Sequence, residues 1–140
     1  MKPHKKKKNT LLEKVKLSPI ERKIRQKPVA GQYAQGDILC KYVRVWNRLR
    51  IGDFGSVLAT DFKYSSFWVL SSLNRAAFLR YLDGKLKAIR KSNSSVKANL
   101  IPNRNMILLN QGGNKAVLCV TLKDGLIKEV TMMPPQMYNL

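Results

Sequence analysis

Histidine is almost missing from this chain: the only one, His4, sits among lysines near the N-terminus. The remainder therefore has no imidazole to act as acid, base, nucleophile activator or metal ligand. Cysteine is scarce too. Cys40 and Cys119 lie far apart, with no CxxC pair and no Cys/His spacing. That excludes a disulfide framework, a redox motif and a zinc site. Both fall in apolar runs and read as buried, reduced thiols, which suits the cytoplasm or another reducing intracellular compartment. Acids are few. After residue 32 they are Asp37, Asp53, Asp61, Asp83, Asp124 and Glu129. Each reads as a cap or helix start, a turn, a junction, the polar side of a helix (Asp83) or an outward strand position, and none as an internal carboxylate. No apolar run reaches the ~18 residues of a membrane-crossing helix. The basic start lacks the apolar stretch of a secretory signal and the Arg/Ser bias of a transit peptide.

Positive charge is what the chain has in excess. The net charge is +19. Residues 1–32 hold 11 Lys/Arg against 2 Glu, and residues 33–140 hold 16 against 6 acids, so the excess is spread through both parts. A field of this sign attracts phosphate backbones and other polyanions. The reading divides the chain into a basic arm (1–33), an α+β domain (34–135) and a short tail (136–140). The arm carries Lys5, Lys6, Lys7 and Lys8 in a row, then a helix start at Ser18-Pro19 with Glu21, and Pro28 and Gly31 to stop it. Lys41, Arg44 and Arg48 form a second basic stripe on the first long helix. Together with Lys5–Lys8 they are the candidate polyanion contacts.

Periodicity places the elements. Ile38, Tyr42, Val45 and Leu49 recur at helical spacing and predict a helix over about 34–49, apolar around most of its girth. Gly52-Asp53 breaks it, with Asp53 as cap of a short helix over 54–59. The alternating aromatic run Phe62, Tyr64, Ser66, Trp68 predicts a strand over 62–69, followed by a polar junction at Ser71, Ser72 and Asn74. Phe78, Leu82, Leu86 and Ile89 predict a second long helix over 74–90, with Gly84 marking a close backbone approach. The last third predicts strands at 96–101, 106–109, 116–122 and 126–133, with turns at Pro102-Asn103, Gln111-Gly112-Gly113-Asn114 and Lys123-Asp124-Gly125. Helices first and a mostly antiparallel sheet afterwards make an α+β class.

Trp46-Asn47, Gly52-Asp53, Leu58-Ala59-Thr60-Asp61-Phe62-Lys63-Tyr64-Ser65-Ser66, the helix Arg75–Leu82 and the closing Val117–Val120 to Asp124–Val130 stand in an order that resembles the nuclear-transport-factor-2-like superfamily (NTF2-like), including its SnoaL-like branch. The resemblance spans about residues 35–133. It implies a cone-like curved sheet wrapping the N-terminal helices, with a pocket at the open end. Members include isomerases, dehydratases, cyclases and hydrolases, and many that only bind, so fold alone does not decide activity. In the ketosteroid-isomerase branch the proton-shuttling carboxylate follows the acidic junction by five residues. With Asp61 as junction, that place is Ser66, which is no base at neutral pH without an activating partner. The His–Asp pairs of other branches have no counterpart.

The pocket candidates are Tyr42, Trp46, Tyr64, Ser66 and Trp68, with simple core packing as the alternative role. Phe67 and Met132-Met133 are candidates for a homodimer surface on the open sheet face. The reading favours a non-catalytic binding module for a protein or small apolar ligand, with a polybasic arm on a polyanion such as RNA. Two alternatives stand beside it: a ribonucleoprotein-associated structural protein, and a small-molecule isomerase, lyase or cyclase. No cofactor and no metal are expected, and no catalytic residue is assigned.

Overall fold

In the computed structural model, residues 17–31 and 33–138 are described. Lys5–Lys8 of the expected arm lie outside them.

Ser18 opens the first helix, α1 (Pro19–Arg25): its hydroxyl accepts the Glu21 N–H at 3.2 Å, and Pro19 takes the first turn, where a missing N–H costs nothing. α1 buries Ile24 and packs on a later helix, so this part of the basic segment is docked on the fold. The first long helix, α2 (Gln35–Arg48), buries Ile38, Leu39, Tyr42, Val45 and Trp46. It ends on Leu49 in the left-handed region, φ 55°, whose carbonyl accepts a bond from the Arg90 guanidinium. A single 3₁₀ turn, Phe54–Val57, replaces the expected helix over 54–59, because the strand starts already at Leu58. Asp53 makes no capping bond there. Its carboxylate pairs with Lys41 at 2.5 Å instead.

The strand expected over 62–69 is two strands. β1 (Leu58–Ser66) turns at Phe67-Trp68 into β2 (Val69–Asn74), which takes in the supposed polar junction. Ser66 makes this turn: its hydroxyl accepts the Trp68 N–H at 3.2 Å, a side-chain turn that needs no glycine. Asp61 is not a helix–strand junction. It lies inside β1, exposed, and pairs with Lys128 on a neighbouring strand. Asn74 does cap the second long helix, α3 (Arg75–Lys91), accepting the Ala77 N–H at 2.9 Å. α3 buries Phe78, Leu79, Leu82, Leu86 and Ile89. A Cβ at Gly84 would meet nothing within 4 Å, so no close approach explains that glycine.

Four strands follow: β3 (Lys97–Leu100), β4 (Met106–Gln111), β5 (Asn114–Lys123) and β6 (Leu126–Met133). The sheet order is β2-β1-β6-β5-β4-β3. All pairs are antiparallel except β1–β6, which is parallel with Tyr64 beside Val130 and Ser66 beside Met132. Asp124 and Gly125 both take positive φ in the β5–β6 turn. A side chain at Gly125 would come within 2.7 Å of the Gly31 nitrogen, so the segment after α1 holds this turn closely. The sheet is open, with β2 and β3 at its edges, and the helices fill its concave side: α2 packs on β3, and α3 on β1 and β2.

Several cations hold the chain together. Arg75 donates to three carbonyls: Ile24 at 2.5 Å, Gln26 at 2.8 Å and Gly55 at 2.7 Å. Arg80 pairs with Glu21 at 2.9 Å, tying α1 to α3, and Lys87 with Asp83 at 3.2 Å along α3. The cysteines are not buried as expected: Cys40 is exposed and Cys119 half-buried.

Candidate functional site

The five pocket candidates separate. Tyr42 is fully buried and stacks on Phe54, ring centroids 4.5 Å apart. Tyr64 stacks on Phe78 at 4.8 Å, and its hydroxyl lies 3.8 Å from the Met132 sulfur. Both belong to the core. Burial, and next the neighbouring phenol (Tyr64 for Tyr42, Tyr81 for Tyr64), pushes each hydroxyl well above its ordinary pKa of 10.0. They stay protonated at neutral pH and cannot serve as bases there. Ser66 is committed to the turn. Trp46 and Trp68 are different: both line an open cleft of about 230 Å³.

That cleft lies where the concave side of the sheet opens. Trp46 on α2, Val96 just before β3, Leu109 on β4, Ala116 on β5 and Met132 on β6 supply apolar wall. Trp68, 56% exposed on the hairpin, and the polar side chains Lys85, Gln111, Asn114 and Lys115 complete the lining. No carboxylate, histidine or cysteine is among the lining residues. The Trp46 indole N–H and the Tyr42 hydroxyl, one helical turn apart, are both buried and face each other, so each turns its polar group to the core. Chemically the arrangement can exclude water from a small apolar body and orient it. It offers no group to take up a proton at neutral pH. Among the described residues, no three His, Cys, Asp or Glu side chains converge as metal ligands would.

The hairpin Phe67-Trp68-Val69 is the most exposed apolar segment of the sheet, each residue 55–56% accessible, while Met132 and Met133 are half-buried. Of the polyanion candidates, Lys41 is spent on Asp53 and also sits 5.0 Å above the Tyr33 ring. Arg44 and Arg48 are exposed one turn apart.

Lys85 was not singled out from the sequence, although a signal was there. It falls at i+7 from Phe78 and i+3 from Leu82, on the spacing of the buried stripe, where a lysine is out of place. The strand residues of the cleft carry no such mark, because only the sheet's register brings them together.

No protein-family profile and no curated protein sequence matches the chain. Solved structures do resemble it. An NTF2-like protein of unknown function from Cytophaga hutchinsonii aligns with 79% of this chain and 98% of its own, at 12% identity and TM-score 0.51. A candidate ketosteroid isomerase from Kribbella flavida covers 70% and 75%, at 20% identity and TM-score 0.50. A candidate polyketide cyclase from Sinorhizobium meliloti covers 72% and 100%, at 16% identity and TM-score 0.50. At such identities the likeness speaks for architecture alone: among the described residues, three helices on an open six-stranded mixed sheet have the nuclear-transport-factor-2-like fold.

Proposed function

We propose that the chain is a non-catalytic binding module that holds a small apolar ligand in the cleft between Trp46 and Trp68, with its basic N-terminal segment contacting a polyanion. The observation that carries the reading is the lining of the cleft: apolar wall with amides and amines, and neither carboxylate nor imidazole. Isomerase or cyclase chemistry on this fold asks for a proton acceptor near the ligand. The phenols closest to the core stay protonated, and Ser66 is occupied by its own turn. Ligand pockets run from ~300 to 1,000 Å³, so about 230 Å³ suits a short chain or a single ring.

The test is a titration with n-octanol followed by tryptophan fluorescence, since both tryptophans of the chain line the cleft. Saturable binding is expected, with Ala116→Phe, which fills the cleft, weakening it by roughly tenfold or more while the thermal transition is kept. Unsaturable binding, or a filled-cleft variant that binds as well, would sink the reading.

A further inference from the structure

The polar lining of the cleft has one sign. Lys85 and Lys115 are cationic, Gln111 and Asn114 are neutral amides, and no acid balances them. Neither lysine is paired: among the described residues the ion pairs are Lys41–Asp53, Arg80–Glu21, Lys87–Asp83 and Lys128–Asp61. Asp83, two residues from Lys85, is taken by Lys87. The Lys85 ammonium rests 5.9 Å from the centre of the Tyr81 ring, an apolar face that holds it without neutralising it. Lys115 comes from β5, just past the Gly112-Gly113 turn, so the two charges reach the cleft from the helix layer and the sheet layer separately. Both side chains are exposed, as head-group contacts at a mouth should be, while Trp46 is almost fully buried behind them.

We propose that the cleft selects a small apolar molecule carrying one anionic head group, with Lys85 and Lys115 meeting the head and the wall around Trp46 taking the body. This rests on the binding reading above and adds the ligand's charge. An anion relieves two unpaired like charges at one opening, and a charged hydrogen bond is about twice as strong as a neutral one. A cation is repelled by the same pair, and a neutral molecule gains only the apolar wall.

Three probes of equal chain length separate these cases in the full chain: octanoate, n-octanol and octylammonium, each followed by tryptophan fluorescence at low salt. Octanoate is expected to bind roughly tenfold tighter than octanol, and octylammonium weakest. In the double variant Lys85→Gln, Lys115→Gln the octanoate preference should fall to about twofold while octanol affinity holds. Because the whole chain is basic, Lys123→Gln serves as a control for losing a lysine charge away from the cleft. It lies at the other end of β5, roughly 25 Å away at ~3.3 Å per residue, and should keep the preference. Equal affinity for octanoate and octanol, or a preference that survives the double variant, overturns the assignment of charge and leaves the apolar site standing. A chain that binds none of the three overturns the binding reading and this inference with it.

Discussion

Asn47 shows how much one side chain can decide. Its amide accepts the Ala98 N–H at 2.7 Å and donates to the Ala98 carbonyl at 3.1 Å. β3 is an edge strand, so Asn47 gives one residue of that edge the two bonds that a further strand would otherwise supply. Replacing Asn47 by Ala strips both partners from a part-buried peptide group and should cost about 1–3 kcal/mol. A lower urea midpoint at unchanged slope is the expected result, and an unmoved midpoint would mean that water replaces the amide fully. At this scale the sequence was half legible. Trp46-Asn47 stood out as a pair, but what Asn47 touches lies 51 positions on. Ser66 was noticed for what it is not, a base. Its bond to the Trp68 N–H is a two-residue event that no periodicity reveals.

The elements themselves were more legible, for a physical reason. α2 and α3 carry apolar residues at helical spacing over three turns or more, and the observed bounds lie within a residue or two of those expected. β5 and β6 were bracketed by Gly-Gly and Asp-Gly turns, which announce themselves. The β1–β2 hairpin hid because its turn is Phe67-Trp68, two residues that read as strand. Between elements, three carboxylates are held below their ordinary pKa by basic partners: Glu21 by Arg80, Asp53 by Lys41 and Asp61 by Lys128. A carboxylate whose folded pKa is depressed contributes stability above its unfolded pKa and loses it as pH falls through the folded value. Thermal stability should therefore hold from neutral pH down to the ordinary carboxylate range, 4.5 for Glu21 and 3.8 for the aspartates, and drop below it. Asp53→Asn should make that drop shallower, because it removes the α2-to-turn pair at every pH. An acid limb identical in variant and parent would show that Lys41–Asp53 contributes nothing.

For the molecule as a whole, charge and connectivity matter most. Arg75, Arg80 and Arg90 are engaged by carbonyls or a carboxylate and Lys41 by Asp53, so the proposed contact with a polyanion is assigned to Lys5–Lys8, Arg44 and Arg48. With a single-stranded RNA oligonucleotide, log affinity should fall linearly with log salt. Replacing Lys5–Lys8 by Gln should reduce that slope by roughly 3 units if all four meet phosphates. An unchanged slope would remove the N-terminal lysines from the contact. Connectivity has a different consequence. β6, the last of the described strands, lies between β1 and β5 and, within the sheet, joins the β2-β1 pair to the β5-β4-β3 trio. Any part-sheets that form before β6 is made have bare inner edges until that strand slots between them. A transcript cut short before Leu126 would thus leave two sticky fragments on one chain, which is an invitation to aggregate, where loss of an outer strand would merely shorten the sheet.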